Sequence, residues 1–183
     1  MLPFVAGTYL VAGDPHAAIP ITNKAIAQSN EHGFPQWVAG ARMLRAWAHL
    51  DLGDLEAGFE DVRNSIRELE KTGTLIWMQF SHYLLARALA ADGQLQNSSQ
   101  IVDRLLNEFE ASGGRWYEAE VYRLRGDLLR LSGSPHSEAA ACYEIAAAIA
   151  RRQGAKMWEL KAMHAMATLH EGSTAGLVST NPS

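Results

Sequence analysis

Glycine recurs along this chain at an almost constant interval of 40 residues, and this spacing constrains the fold more than any other feature of the sequence. The first glycine series is Gly13, Gly53, Gly93 and Gly133. A second glycine series lies midway between these positions, with steps of 40, 40 and 41 residues, and consists of Gly33, Gly73, Gly113 and Gly154. Self-similarity at a fixed period of this length indicates a tandem of one small structural unit, in which neighbouring units share a continuous core.

The segments between the glycines have the pattern of amphipathic helices. An aromatic residue follows each glycine of the second series after four residues, and these are Trp37, Trp77, Tyr117 and Trp158. Within the segments, apolar residues recur at three- and four-residue steps, and no sustained alternation of apolar and polar residues suggests a strand. We therefore predict helices over Gln36–Leu52, Leu55–Lys71, Leu75–Asp92, Gln96–Ser112, Trp116–Ser132 and Ser137–Gln153.

The residues at the turns and helix crossings favour one class of helical repeat. Gly53 can adopt the left-handed backbone that ends a helix, and Asp54 can cap the helix that follows. Among repeats of helix pairs, the TPR has a period of about 34 residues and the HEAT or armadillo repeat about 40–47. Small residues seven positions before the first-series glycines favour the TPR, because a small residue lies there in the TPR pattern: Ala46, Ala86 and Gly126. We predict an all-α, TPR-like superhelix of antiparallel helix pairs with seven or eight helices.

The same spacing predicts the domain organisation. Residues 1–171 form a single repeat domain, with units at about 1–32, 33–72, 73–112 and 113–153 and a partial unit at 154–171. Residues 172–183 are rich in Ser, Thr and Gly, which predicts a disordered polar tail.

Charge and cysteine content narrow the possible partners and compartments. Sixteen basic and twenty acidic residues give a net charge of −4, so we expect neither a nucleic-acid partner nor an anionic membrane. A secretory signal would require a basic residue near its start, and no basic residue precedes Lys24. The sequence has no run of 18 apolar residues, so we expect no transmembrane helix. The one cysteine, Cys142, suits a reducing compartment, and we predict a cytoplasmic protein.

The sequence carries no motif of catalysis. Its seven histidines form no HExxH pair or other metal-binding spacing, and neither Walker A, GxSxG nor GxGxxG occurs. Cys142 lies in an alanine-rich helix, where it is most simply a small buried residue. We predict a protein that is not an enzyme and that uses no metal and no cofactor.

Two stretches resemble a known group of proteins. The third complete unit, RWYEAEVYRLRGDLLRLSG followed by EAAACYEIAAAIARRQGAKMWEL, is similar to the C-terminal TPR-like tails of bacterial signalling proteins. These are STAND-type ATPases fused to adenylate or guanylate cyclase domains, and LuxR-type regulators. EHGFPQWVAGARMLRAWA resembles the preceding unit of the same tails. The resemblance implies an interaction or sensing module, although no P-loop, cyclase domain or helix-turn-helix segment is evident, so we expect a fragment or stand-alone relative of such a tail.

The TPR class also implies a partner-binding groove lined by the first helix of each unit. Carried onto this chain, the groove positions are Met43, Trp47, Leu50, Asp51, Phe80, Tyr83, Arg87, Glu120, Arg123, Asp127 and Arg130. Such a groove would bind an amphipathic helix or an extended peptide with an acidic or polar end. The alternative is that the aromatic residues are ordinary packing residues and that the charged residues pair along one helix.

These observations favour a protein-interaction scaffold with a protein or peptide partner. The alternative is a small-molecule-sensing module that binds a ligand inside the superhelix and alters an attached domain. Uncapped apolar helices at either end of the array could also drive formation of a homodimer.

Overall fold

The computed structural model describes residues 2–75, 77–111 and 115–178, and this part of the chain contains nine α-helices and no β-strand. The helices are α1 (Leu2–Val11), α2 (Pro15–Glu31), α3 (Pro35–Asp51), α4 (Leu55–Thr72), α5 (Met78–Ala91), α6 (Leu95–Ala111), α7 (Glu118–Leu131), α8 (His136–Gln153) and α9 (Lys156–Val178). The all-helical prediction is confirmed. The predicted number of seven or eight helices is too low, because the short apolar segment at the start forms a separate helix, α1.

The helices follow the glycine spacing. The first four predicted units each contain two helices, and α9 occupies the partial fifth unit. By their internal contacts the helices form two compact units, Met1–Ile101 and Val102–Ser183, with the division inside α6. That all of residues 1–171 behave as one repeat domain stays a prediction.

The turns have the backbone that the glycines predict. Gly53 has a φ of 78° between α3 and α4, a left-handed conformation that glycine adopts at little cost. Asp54 then caps α4, since its Oδ1 accepts a hydrogen bond from the backbone N–H of Ala57 at 3.2 Å. The other glycines of both series among the described residues also have positive φ, whereas Gly113 lies outside those residues.

In the first compact unit, Met1–Ile101, glycine and aromatic residues pack against each other. Trp37 and Trp77 of the aromatic series have ring centroids 5.4 Å apart. Gly40 lies directly under Trp77, because a Cβ atom at Gly40 would be 2.6 Å from Cζ3 of that ring. Trp77 is also the residue before α5, so this helix begins at Met78, three residues later than predicted.

The second unit is packed in a similar way. Tyr117 is buried against Phe109, with ring centroids 5.0 Å apart, and Trp158 of α9 lies 5.8 Å from Trp116. Between α7 and α8, Gly126 faces the ring of Tyr143, which is fully buried. The small residues therefore lie where helices approach each other most closely.

The end of α9 differs from the sequence prediction. The helix continues through residues 172–178, which we assigned to a disordered tail, so the predicted boundary at 171 is too early for the helix. Once a helix is nucleated, each added residue gains a hydrogen bond, and this offsets the weak helix propensity of Gly, Ser and Thr. The remaining tail, residues 179–183, lies outside the described residues. Among the described helices, none is long and apolar enough to cross a membrane.

Candidate partner-binding cleft

The apolar and aromatic residues of the predicted groove are buried inside the first compact unit. Met43, Trp47, Phe80 and Tyr83 expose only 5%, 5%, 3% and 2% of their surface. Trp47 packs edge-on against Phe80 at 5.4 Å, and Phe80 lies 5.5 Å from Tyr83. A partner cannot reach side chains that are this enclosed, so these four residues belong to the core and their assignment to a groove was wrong. Helical spacing identifies a shared face but not whether that face is covered.

The remaining groove residues of the first unit are also engaged within it. Leu50 is half-buried and packs over α4, where a Cβ atom at Gly58 would be 2.7 Å from Leu50 Cδ2. Arg87 donates a hydrogen bond from Nη2 to Asp51 Oδ1 at 2.6 Å, and its guanidinium lies 6.0 Å above the ring of Tyr83. These contacts tie α5 to α3 and leave no open groove at these positions.

Three of the four charged groove residues on α7 line an open cleft in the second compact unit, whereas the fourth, Glu120, is 5% exposed and lies outside the lining. The cleft has a volume of about 390 Å³ and is bordered by α7, α8 and α9. Helix α7 contributes three of the predicted residues, Arg123, Asp127 and Arg130, and α8 contributes Tyr143. The α9 side consists of Lys161, His164, Ala165 and Thr168. We call this feature the α7–α9 cleft.

A chain of hydrogen bonds organises the α7 wall of the cleft. Arg123 donates from Nε to Glu120 Oε1 at 3.0 Å and from Nη2 to Oε2 at 3.2 Å. Its Nη1 donates to Asp127 Oδ2 at 2.7 Å. The hydroxyl of Tyr143 donates to the other oxygen, Asp127 Oδ1, at 2.8 Å. All four carboxylate oxygens thus accept a hydrogen bond from within the unit, as the pairing of charges along the helix predicts.

The remaining donors in the cleft are basic. Burial raises the pKa of Tyr143, and the neighbouring Asp127 raises it further, so its hydroxyl stays protonated and committed to that carboxylate. Arg130 is exposed beside this hydroxyl. Lys161 has no ion-pair or hydrogen-bond partner among the described residues, although it lies within the cleft. Among the lining residues, Arg123, Arg130 and Lys161 are basic and Asp127 is acidic. With the neighbouring Glu120 included and His164 counted as neutral, the cleft has an excess of one positive charge.

The α9 side of the cleft is absent from the predicted groove, although the repeat indicates its position. Lys161, His164 and Thr168 follow Gly154 by seven, ten and fourteen residues. These offsets from the second glycine series are the ones at which Glu120, Arg123 and Asp127 follow Gly113. The predicted groove ends at the last complete unit, and the same register extended to α9 places these three side chains on the facing wall of the cleft.

Another cluster of charged residues, in the first unit, is structural. Asp61 of α4 is 4% exposed and accepts two hydrogen bonds from Arg45 of α3, both at 2.7 Å. Arg42 lies 3.6 Å from the same carboxylate, and His49 lies 4.0 Å from it. The hydrogen bond to Asp61 raises the pKa of Arg45. Because the carboxylate is enclosed and paired, this cluster joins two helices and offers no open site.

Metal ligands and the single cysteine are the remaining features that could indicate chemistry. Within residues 2–75, 77–111 and 115–178, no group of three His, Cys, Asp or Glu side chains is placed to hold a metal ion. Cys142 is buried, and this burial raises the pKa of its thiol, which favours the unreactive protonated form.

The fold and its repeat define the class: this is a TPR-like repeat protein. The whole chain superposes on the nearly identical TPR-like repeats of a Podosopora anserina protein described as a kinesin light chain, with a TM-score of 0.59 and 17% identity. The match covers 100% of this chain and 96% of that one. This likeness shows the fold alone.

One curated protein is similar in sequence. It is an uncharacterized protein of Rhizobium meliloti (strain 1021), 25% identical over 135 residues. The match covers 73% of this chain, and the chain spans only 13% of the length of that relative. No family model matches the chain.

Proposed function

We propose that this chain is a protein-binding module in which the α7–α9 cleft receives an extended, acidic segment of a partner protein. The observation that carries the proposal is which charged side chains of the cleft already have hydrogen-bond partners. The acidic side chains are already satisfied, whereas Lys161 and the exposed Arg130 can still donate hydrogen bonds. A carboxylate from a partner would accept hydrogen bonds from these two side chains, and hydrogen bonds to charged groups contribute about 1.5–3 kcal/mol each.

The character of the cleft favours a peptide over a small molecule. Sites for small ligands are mostly apolar and enclose most of the ligand. In the α7–α9 cleft, Ala165 is the one apolar side chain of the lining, and Arg130, His164 and Thr168 are exposed to solvent. An open cleft whose lining side chains are mostly polar or charged suits a segment that remains part of a larger molecule. A small-molecule sensor would instead need an enclosed, largely apolar cavity.

Fluorescence anisotropy with two labelled peptides tests this proposal. The protein has a net charge of −4, so non-specific attraction would favour polylysine over polyglutamate. We expect tighter binding of polyglutamate, which only a local basic site can produce. Replacing Lys161 by Ala should weaken that binding about tenfold, or about 1.4 kcal/mol.

Lys71→Ala is the matched control, because Lys71 is 62% exposed and lies on α4 outside the cleft. This variant should bind polyglutamate as the unmodified protein does. If polylysine binds more tightly, or if Lys71→Ala and Lys161→Ala weaken binding equally, the cleft is not an acidic-segment site.

We further propose that the module belongs to a cytoplasmic bacterial signalling or regulatory protein. The resemblance of its third and first complete units to the tails of STAND-type ATPases, cyclases and LuxR-type regulators supports this context. The small share of the bacterial relative that the chain spans is consistent with it. Sequencing the gene around this region tests the idea: an ATPase, cyclase or DNA-binding domain in the same reading frame is expected, and an unrelated domain would contradict it.

A further inference from the structure

The outer face of α4 carries four exposed charged residues that border one open hollow. Glu56 and Glu60 lie toward the N-terminal end of the helix, and Arg63 and Arg67 lie toward its C-terminal end. The hollow has a volume of about 530 Å³, and its other wall is the turn between α5 and α6. Helices α1–α3 precede α4 and α5 follows it, so α4 is an interior helix of the first compact unit. We call the surface formed by the four residues the charged face of α4.

The two arginines of this face are held in place but form no ion pair within the described part of the chain. The guanidinium of Arg63 lies over the ring of Phe59, 5.1 Å from its centroid. Arg67 donates a hydrogen bond from Nη1 to Asn64 Oδ1 at 3.2 Å. Both guanidinium groups therefore keep donors that an acidic side chain could accept from.

The two glutamates of the face also form no ion pair with a residue that the structure describes. Glu60 attracts Arg45 electrostatically, but the guanidinium of Arg45 is hydrogen-bonded to Asp61. Asp92, the remaining charged residue of the hollow, accepts a hydrogen bond from within its own turn. Glu56 and Glu60 are thus available to a cation from outside the unit.

The order of the charges is unfavourable within α4 itself. Residues four apart are neighbours on a helix, and here Glu56 neighbours Glu60 while Arg63 neighbours Arg67. Like charges at this spacing destabilise a helix, whereas opposite charges stabilise it. A second helix with the opposite order of charges would compensate both like-charged pairs.

We propose that the charged face of α4 binds the same face of a second copy of this chain, with the two α4 helices antiparallel about a two-fold axis. The axis passes at the level between residues 61 and 62, so that Glu56 lies opposite Arg67 of the second copy and Glu60 lies opposite Arg63. Each charge then faces an opposite charge, whereas a parallel pair in register would bring like charges together. Because the same patch serves both copies, the contact closes at two molecules.

The spacing of the four residues suits a second helix as the occupant. They are separated by steps of four, three and four residues, which keep side chains in one stripe toward a partner helix. The stripe is charged and not apolar, and exposed ion pairs are individually weak and are screened by salt. We therefore expect a reversible dimer whose affinity depends strongly on ionic strength.

Analytical ultracentrifugation of the full chain at two salt concentrations tests the pairing. The net charge of −4 makes two copies repel each other as whole molecules, and this repulsion is strongest at low salt. A dimer favoured by low salt therefore requires local pairing of opposite charges. We expect a species of twice the 20.0 kDa monomer mass in about 0.01 M salt. It should dissociate in about 1 M salt, where the screening length falls from about 30 Å to about 3 Å.

Two double variants of equal net charge test the antiparallel register. Glu56→Arg alone should raise the dissociation constant about tenfold, because it makes two symmetry-related pairs repulsive. Adding Arg67→Glu restores opposite charges in every pair, so this double variant should dimerise more tightly than Glu56→Arg. Adding Arg63→Glu instead is the matched control. It gives the same net charge and the same favourable charges four apart within α4, but it places like charges opposite each other in every pair.

Circular dichroism verifies that each variant remains helical, and the salt dependence of the unmodified protein needs no variant. A monomer at every concentration in low salt would overturn the proposal, as would a dimer equally tight at both salt concentrations. Equal dissociation constants for the two double variants would overturn it as well, because the antiparallel register alone distinguishes them.

Discussion

Replacing Gly126 by Ala tests the packing that forms the α7–α9 cleft. Gly126 lies inside α7, where alanine is normally better than glycine by about 1 kcal/mol. Here the added Cβ atom would be 2.5 Å from Tyr143 Cε1 and 2.7 Å from Cδ1. The ring cannot move away freely, because it is fully buried and its hydroxyl is bonded to Asp127 at 2.8 Å.

The expected magnitude follows from these two opposing effects. Overpacking a tight core costs about 1–3 kcal/mol, and a contact this short with an enclosed ring belongs at the upper end of that range. After the gain in helix propensity is subtracted, the free energy of unfolding should fall by about 1–2 kcal/mol. For a chain of this length, the melting temperature should fall by about 3–6 °C.

Thermal and urea unfolding monitored by circular dichroism measure this change. Gly7→Ala is the matched control, since Gly7 also lies in a helix but has no atom within 4 Å of an added Cβ. It should leave stability unchanged or raise it by up to about 1 kcal/mol. In a Tyr143→Ala background, the cost of Gly126→Ala should disappear. If Gly126→Ala is as stable as Gly7→Ala, the close approach of α7 and α8 is refuted.

Two further predictions concern charged residues. Asp61→Ala should lower the free energy of unfolding by about 2–3 kcal/mol in urea titrations, because it leaves the partly buried Arg45 without its carboxylate partner. This range lies below that of a fully buried ion pair, since the Arg45 side chain is 23% exposed. An Asp61→Ala variant within 0.5 kcal/mol of the unmodified protein, roughly the limit for surface changes, would contradict the structural role. Hydrogen bonds from Lys156, the larger effect, and from Arg151 lower the pKa of Glu159 below its usual 4.5. The ionised Glu159 therefore contributes fully to stability above pH 4.5, and this contribution is lost as the pH falls through the lowered pKa. The difference in melting temperature between the unmodified protein and Glu159→Gln should therefore shrink as the pH falls below 4.5, and a difference independent of pH would disprove this linkage.

The sequence by itself determined the helices and their order. Glycine is the residue that adopts a left-handed turn without strain, so its 40-residue spacing by itself locates the turns. Local signals of this kind act within a few residues and are visible in one dimension. They also paired Glu120 with Arg123 and Arg123 with Asp127, because residues three and four apart share one side of a helix.

Only the tertiary structure decided which of the predicted groove residues are accessible. Trp47 and Arg123 both occupy groove positions of the repeat, yet Trp47 is buried in the core and Arg123 lines an open cleft. Periodicity gives the direction in which a side chain points, but burial depends on what the neighbouring helices place against it. The same limit explains why Lys161 was missed: its role arises from α7 on the other side of the cleft, which lies more than thirty residues away in the chain.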